Sequence, residues 1–401
     1  MRTLLFEVYM QFHFDKIEDF VGFSISNAKA GESVKILYRA IMTSDNPDFY
    51  RYIDELSKIY LNRFKVLTDQ VYRFLVIIHD DLSADVYVND FPVSIEIIAK
   101  RAFEKGSLLM KSDIANIRKL RFDGIEFLET DKVICCFKVG WRFGLYFDLA
   151  PRKDVTDQRG LVKGEKFNVE EMMLSLGSLY RYLLFYNIYK VFESESVFEE
   201  MLKDGWFPFI DTIGKEYEEL IRIYQSRFSI EERIRELVNK FDKNRIEKIT
   251  DKWWDSEIFA SKKTLIQAGI SAYLQDSIEG NINCIKNLCT EIEGVLREVY
   301  GKETGRRNNV FSKDFIPHII AKGLEKSAHD YSLFFPKPFW EYLEKVFFVK
   351  FDIETGKVDL SRHTASHGVA REDQYTKPRA LQVILILDQI CFYIGKTASD
   401  K

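Results

Sequence analysis

The sequence predicts an α+β, multidomain protein, in which a mixed α/β N-terminal domain is followed by a mostly α-helical region that ends in a helix bundle. Three observations support this prediction. The chain has 401 residues, which is longer than one hydrophobic core usually serves. The alternation of apolar residues that is typical of strands nearly vanishes after the Pro151–Asn168 connector. Long amphipathic patterns with a helical period fill the rest.

Composition is that of an ordinary globular protein, with 46% apolar and 30% charged residues. The net charge of −4 argues against a surface coated in basic residues, although a local phosphate-binding patch stays compatible with it. The five cysteines form no CxxC pair, so we expect reduced core residues and a cytoplasmic location. The longest apolar run, Ala380–Ile394, is too short and too polar for a membrane span, and we expect no membrane association.

The N-terminal domain, residues 1–158, is predicted mainly from alternating apolar residues. The predicted strands are Leu4–Phe14, Gln70–Asp81, Ser83–Phe91 and a hairpin of Asp131–Phe137 with Trp141–Pro151. Helices are predicted at Asn46–Phe64 and Ser94–Gly106. The polar connector Pro151–Asn168, with its Gly and Pro breakers, predicts a domain boundary.

The middle region, residues 169–262, contains only helical patterns. Val169–Phe192 is predicted to be one long helix, and Ser229 with Glu232 is expected to form a capping box. The aromatic segment Asp204–Ile210 and the Trp253–Phe259 segment are predicted to pack between domains.

The last region, residues 263–401, is predicted to be a four-helix bundle. Its first helix carries an apolar stripe and is expected to stop at Gly301. Three more helices are predicted at Lys313–Ala328, Pro336–Phe348 and Lys377–Gly395. The apolar part of the last helix is predicted to be buried nearly all round.

The stretch "SRHTASHG", Ser361–Gly368, lies between the third and fourth bundle helices and permits three interpretations. In the first, His363 and His367 bind a metal, since residues four apart share a helix face. The HExxH glutamate and a clear third ligand are both missing, so we predict no metal and no cofactor. In the second, Arg362 caps a neighbouring helix and both histidines are satisfied at a polar bundle end.

The third interpretation is acid–base chemistry on a phosphodiester. A histidine with a pKa near neutrality can take a proton from a 2′-hydroxyl or give one to a leaving oxygen. A neighbouring arginine can hold the phosphate and stabilise the charge of the transition state. RNA carries its own nucleophile, so this chemistry needs no metal.

The spacing from Arg362 to His367 resembles the R-x4-6-H pattern of the HEPN superfamily. These are helical-bundle domains, and many members are metal-independent RNases of toxin–antitoxin and antiphage systems. The polar His363 and the closing Gly368 agree with the form that is common in HEPN-like bacterial proteins. The resemblance extends over about a third of the chain, from residue 265 to residue 398.

Two flanking helices extend this resemblance. The "CTEIEGVLREVY" segment, Cys289–Tyr300, resembles the "qiEgiLR" helix of the same group. Asp388, within "LILDQI", matches the internal acid of the long apolar helix that follows the motif. The resemblance implies a HEPN-like bundle at residues 263–401.

The resemblance implies that Arg362 and His367 are the catalytic pair, with His363 as a polar auxiliary. It also implies an RNA substrate, no DNA substrate, a role in defence, and a homodimer whose C-terminal bundles bring two pairs together. The alternative is a non-catalytic HEPN-fold dimerisation or interaction module, with an N-terminal domain that binds a partner or ligand.

The local charge departs from a simple RNA-binding pattern. Residues 359–401 contain six basic and five acidic residues, so no strong positive bias marks an RNA footprint. Arg371, Lys377 and Arg379 are the candidate phosphate or RNA contacts, and a solvated helix start explains them equally well.

Overall fold

The structure is a computed structural model in which the described residues are 10–16, 29–31, 40–44, 46–47, 49, 71–139, 142–149, 168–327, 333–349 and 361–395. The chain divides into two compact units. Unit 1 combines Met1–Ile97 with Ile117–Leu184, and unit 2 combines Ile98–Asn116 with Phe185–Lys401. The predicted boundary at Pro151–Asn168 lies almost entirely outside the described residues, and the three predicted domain ranges stay predictions.

The described strands are β1 Met10–Phe14, β2 Ala40–Thr43, β3 Arg73–Ile78, β4 Ala84–Val88, β5 Val93–Ala99, β6 Ile114–Phe122, β7 Lys132–Val139 and β8 Arg142–Leu149. Six of them form an antiparallel sheet in the order β1-β4-β3-β7-β8-β2, and β5 pairs with β6. The predicted strands at β3 and β4 and the predicted β7–β8 hairpin are confirmed. The predicted helix Asn46–Phe64 lies largely outside the described residues.

The core of unit 1 lies between the sheet and helix α1, Val169–Leu184. Residues two apart on the central strands, such as Leu75 and Ile77, share one face and pack with Leu176. A Cβ atom at Gly177 would lie 2.5 Å from the Cα atom of Lys119, so only glycine permits this close approach of α1 to β6. The N-terminal part of the chain is therefore a mixed α and β structure, as predicted.

The predicted helix Ser94–Gly106 is wrong. Its first half belongs to β5, and an irregular loop follows. Ile95, Ile97 and Ile98 are β-branched residues that favour strands, and β6 supplies the pairing partner. The spacing of isoleucines and charged residues in this segment also fits a helix. The strand that pairs with β5 comes only after a long loop, so no nearby hairpin pattern indicated a strand.

Helices dominate the rest of the described chain. After α1 they are α2 Tyr186–Glu193, α3 Glu195–Lys203, α4 Lys215–Ser226, α5 Ile230–Asn239, α6 Lys243–Asp251, α7 Glu257–Ser261, α8 Lys263–Tyr273, α9 Ile278–Thr304, α10 Ser312–Ser327, α11 Pro336–Tyr342, α12 Arg362–Ser366 and α13 Lys377–Ile394. A π-helical turn, Leu343–Phe347, extends α11. The described residues contain no strand after β8, which agrees with the predicted helical region.

Three local predictions differ from the structure. The predicted Val169–Phe192 helix is interrupted at Phe185, whose backbone leaves the helical region. Ser229 has a φ of 46°, so it makes no side-chain cap, and the predicted capping box is wrong. Gly301 is buried inside α9, and the helix instead ends at Gly305, which adopts the left-handed conformation with a φ of 75°.

Helices α9 and α13 pack against each other in the core of unit 2. Every residue of α13 from Ala380 to Cys391 is buried, so the predicted all-round burial is confirmed. The bulk of this apolar surface is covered by residues of the same chain. Among the described residues, no helix is both long enough and apolar enough to cross a membrane.

Three buried polar side chains on α13 hold segments of the predicted middle region. Gln382 Nε2 donates to the carbonyl of Asp204 at 2.8 Å, and Gln389 Oε1 accepts from the amide of Ile210 at 2.8 Å. Trp253 Nε1 donates to Asp388 Oδ1 at 2.7 Å. The two aromatic segments therefore connect the predicted middle region to the predicted bundle within unit 2.

Candidate functional site

The RHTASHG segment folds as the short helix α12. Ser361 caps its N-terminus: the Ser361 amide donates to Thr364 Oγ1 at 2.8 Å, and the Thr364 amide donates to Ser361 Oγ at 3.3 Å. Gly368 follows with a φ of 70°, and the Val369 amide closes the turn on the Thr364 carbonyl at 3.1 Å. This reciprocal cap and the glycine fix where Arg362 begins the helix and His367 ends it.

Arg362 forms an ion pair with Glu293 on α9. The Arg362 side chain is 24% exposed and the Glu293 side chain is 12% exposed. Glu293 also accepts hydrogen bonds from Arg297, one turn further along α9, at 2.7 and 2.8 Å. One carboxylate therefore neutralises only part of the charge of two guanidinium groups, and the group of three keeps a net positive charge.

His363 of α12 and His367, which caps the end of the helix, lie one above the other. Their ring centroids are 6.2 Å apart and the ring planes differ by 7°. Arg362 Nη1 lies 3.5 Å from His363 Nδ1, and arginine can only donate, so Nδ1 acts as the acceptor there. His363 is half-buried, whereas His367 is exposed to solvent. The structure therefore presents one accessible imidazole, His367, which stacks on His363, and His363 in turn contacts Arg362.

This arrangement suits proton transfer near a bound anion. An exposed imidazole can accept or donate a proton near neutral pH. The carboxylate of Glu293 holds the Arg362 guanidinium in one orientation, and the side chain remains 24% exposed, although its Nε is buried without a hydrogen-bond partner among the described residues. In the described part of the chain, no group of three or more His, Cys, Asp or Glu residues could hold a metal ion.

The three predicted phosphate-binding residues make contacts outside α12. Arg371 pairs with Asp373 at 3.2 Å, and Lys377 pairs with Asp276 at 2.6 Å. Arg379 Nη2 donates to the Lys203 carbonyl at 3.0 Å. Their role in binding RNA stays a prediction, and each would have to exchange or share its present partner.

Glu293 and Arg297 are the site residues that sequence reasoning missed. Their helix was recognised through the Cys289–Tyr300 segment, but neither residue received a role. A glutamate four residues before an arginine on a helix is a usual stabilising pair, which is the signal that was present. The contact from Glu293 to Arg362 joins two helices that are far apart in the sequence. A single sequence contains no local pattern that predicts it.

A second cluster lies in unit 1, where the sequence offered no partner for either histidine. Asp85 bridges His13 at 2.7 Å and His79 at 3.4 Å, and the buried Asp131 lies 2.9 Å from His79 Nδ1. Burial disfavours the charged imidazole, but the hydrogen bonds to Asp131 and Asp85 outweigh it and raise the pKa of His79. The acidic neighbours therefore favour the protonated form of His79.

A third cluster surrounds Asp388. Lys252 Nζ lies 2.8 Å from Asp388 Oδ1 and 3.4 Å from Asp211 Oδ2. Burial raises the pKa of Asp388 to about 7, although Lys252 opposes the shift. For Asp211, the charge of Lys252 and the hydrogen bond with Asp388 outweigh burial and lower the pKa. Asp388 is fully buried, so it is not positioned to contact a substrate.

Comparisons with known proteins found no matching family model, no matching curated protein and no matching solved structure. The functional interpretation of α12 therefore depends on its own residues and their contacts.

Proposed function

We propose that the protein is a metal-independent endoribonuclease of the HEPN type. In the proposed reaction the 2′-oxygen of one nucleotide attacks the adjacent phosphorus, and the bond from phosphorus to the 5′-oxygen breaks. The 2′-hydroxyl loses its proton to a base, and the 5′-oxygen gains one from an acid. The products are a 2′,3′-cyclic phosphate and a 5′-hydroxyl. This step consumes no water and, in the proposal, requires no metal ion.

The observation that supports this proposal best is the accessible His367, which stacks on His363, the neighbour of Arg362 in the Arg362–Glu293–Arg297 group. In the proposal, Arg362 binds a phosphate oxygen and stabilises the negative charge of the transition state. Glu293 holds the guanidinium in position. His367 transfers a proton to or from the substrate, and His363 assists by contacting Arg362.

The proposed reaction needs two proton transfers, one on each side of the phosphorus atom. We propose that a second copy of the chain supplies the other His367, in a homodimer formed through the C-terminal bundle. Because α13 is already covered within one chain, its apolar surface is not available for that contact. The exposed residues Ser366–Val369 are the proposed contact instead. A cytoplasmic location is an expectation from the cysteine pattern, and a role in defence is an expectation of the resemblance alone.

The test is cleavage of a mixed-sequence RNA in the presence of EDTA, with the products analysed for cyclic phosphate ends. We expect the wild-type protein to cleave, because no step requires a metal. His367→Ala and Arg362→Ala should each lower the rate by about 100-fold or more. His13→Ala is the matched control, because it removes a partly exposed histidine of unit 1 and should leave the rate unchanged.

The non-catalytic alternative has one observation in its favour, namely that Arg362 already has a structural partner in Glu293. If the role of Arg362 is purely structural, Arg362→Ala lowers the melting temperature, and His367→Ala changes neither the melting temperature nor RNA cleavage. Cleavage that is equal in the wild type and in His367→Ala would reject the enzymatic proposal, as would a failure of the wild-type dimer to cleave any RNA. Melting temperatures measured on the same samples separate lost catalysis from lost folding.

A further inference from the structure

The loop between α9 and α10, residues 305–311, carries an exposed aromatic and an exposed arginine beside the candidate site. We propose that this loop binds unpaired RNA, with a base stacked on Phe311 and a phosphate held by Arg307. The inference rests on the proposed ribonuclease function and assigns its substrate class as single-stranded RNA.

The exposure of Phe311 is the first observation. Its side chain is 56% exposed, although phenylalanine is usually found in the core. Arg307 and Lys313 flank it and are also exposed, and neither has a carboxylate within ion-pair distance among the described residues. An exposed aromatic ring with exposed cations nearby in the chain is a combination that suits single-stranded nucleic acid, since bases stack on the ring and phosphates attract the cations.

The second observation is that the loop holds its shape through specific hydrogen bonds. Asp314 Oδ2 accepts from the Phe311 amide at 2.9 Å, and Asp314 Oδ1 pairs with Arg306 at 3.4 Å. Arg306 Nη2 also donates to the Asn309 carbonyl at 3.2 Å. These bonds fix the backbone at Phe311, so the ring is presented to solvent by an ordered loop. A preorganised aromatic loses less conformational entropy when it binds.

The third observation connects the loop to the candidate site. Arg297, which pairs with Glu293 on one side, donates through Nη1 to the Val310 carbonyl on the other. Glu293 in turn pairs with Arg362. Phe311 therefore follows directly after a backbone group that is tied to Arg362 through two side chains. We therefore expect a strand that binds Arg362 through a phosphate to extend towards Phe311.

The chemistry predicts the kind of RNA that binds. A base in a duplex is already stacked and paired, whereas an unpaired base leaves its face available to an aromatic side chain. Every base has such a face, so the contact should tolerate changes in sequence. The loop should therefore favour single strands over duplexes, with little preference among sequences.

The inference is tested by fluorescence anisotropy with a labelled twelve-nucleotide oligouridine in EDTA, using full-length protein that carries His367→Ala so that the RNA stays intact. We expect Phe311→Ala to weaken binding about 10-fold, and Phe311→Trp to retain it, because indole also stacks. Phe228→Ala is the matched control, because Phe228 is 73% exposed in the loop between α4 and α5. It should bind as tightly as the parent protein.

Two further measurements sharpen the result. Arg307→Gln should reduce the slope of log K against log salt concentration by about 0.7, as expected for one lost phosphate contact on a single strand. A duplex of the same length should bind more weakly than the single strand and should not respond to Phe311→Ala.

The outcomes separate this inference from the proposed function. If the wild type cleaves RNA but Phe311→Ala and Phe228→Ala bind equally well, the loop inference is overturned and the ribonuclease proposal stands. If Phe311→Ala weakens RNA binding but the wild type never cleaves, the loop contact is supported and the ribonuclease proposal fails. Binding of no RNA at all by the parent protein overturns the loop inference directly.

Discussion

The clusters around Arg362 and around Asp388 both join a long helix, α9 or α13, to a distant segment through ion pairs. They differ in burial, since 24% of the Arg362 side chain is exposed and none of Asp388 is. The partly exposed cluster keeps a net positive charge and a neighbouring accessible imidazole, which suits binding and proton transfer. The buried cluster can act only on stability and on proton uptake. An ion-pair cluster with access to solvent therefore suits ligand binding, whereas a fully buried one affects mainly stability.

The largest expected effect is the loss of the buried carboxylate. Asp388→Ala should lower the free energy of unfolding by about 3 kcal/mol, because it leaves the buried Trp253 indole without its acceptor and weakens the pairing of Lys252. Urea unfolding followed by tryptophan fluorescence measures this, since four of the five tryptophans lie in unit 2. Asp388→Asn is the control that keeps an acceptor for Trp253. If Asp388→Ala lowers the free energy of unfolding by less than an average surface substitution does, the claim that the buried Asp388 contacts stabilise the fold is contradicted.

The pH dependence of stability gives a second test. The folded pKa of Asp388 is about 7 and its ordinary value is 3.8, so the folded state holds a proton that the unfolded state has released. Its stabilising contribution is complete below about pH 4 and is lost as the pH rises towards about 7. Asp211 has a lowered pKa, so its contribution is lost only at more acidic pH.

Asp388→Asn cannot titrate and should therefore remove this decline. The measurement is the difference in unfolding free energy between wild type and variant at several values between about pH 4.5 and about pH 7. The difference cancels contributions that both proteins share, including that of His79. A difference that stays constant across the range would mean that Asp388 is ionised throughout.

The smallest effect on stability is expected at the partly exposed cluster. Glu293→Gln should lower the free energy of unfolding by only about 1 kcal/mol, because water screens and replaces part of the lost ion pairs. It should nevertheless slow RNA cleavage by about 10-fold, because Arg362 loses the group that orients it. Glu298→Gln is the matched control on the same helix, since its pair with Lys302 is more exposed. A larger stability loss at Glu293 than at Asp388 would overturn the comparison.

Strong local patterns allowed much of the fold to be predicted. The β7–β8 hairpin and the burial of α13 follow from the period of their apolar residues, which the sequence shows directly. The β5 strand was missed because its partner β6 comes after a long loop, and isolated isoleucines with charged neighbours also fit a helix. The sequence predicted a helix end at Gly301, but glycine is also found inside helices, and Gly301 is buried within α9.

The candidate site also has a part that the sequence predicted and a part that it did not. Spacing within one short segment was enough to bring Arg362, His363 and His367 to attention. Glu293 lies 69 positions earlier in the chain, and its contact with Arg362 depends on how two helices pack. The His79–Asp131 contact, 52 positions apart, was missed for the same reason. Tertiary packing decides such pairs, and one sequence carries no local signal of it.

The contacts of Gln382, Asp388 and Gln389 have a practical consequence for dividing the chain. A fragment cut at residue 262 would remove Asp204, Ile210 and Trp253, which satisfy these three side chains on α13. The isolated segment 263–401 would then expose an apolar helix whose polar groups have lost their partners. Residues 263–401 should therefore not fold as an independent domain. A truncated version should retain all of unit 2, which includes Ile98–Asn116 as well as Phe185–Lys401.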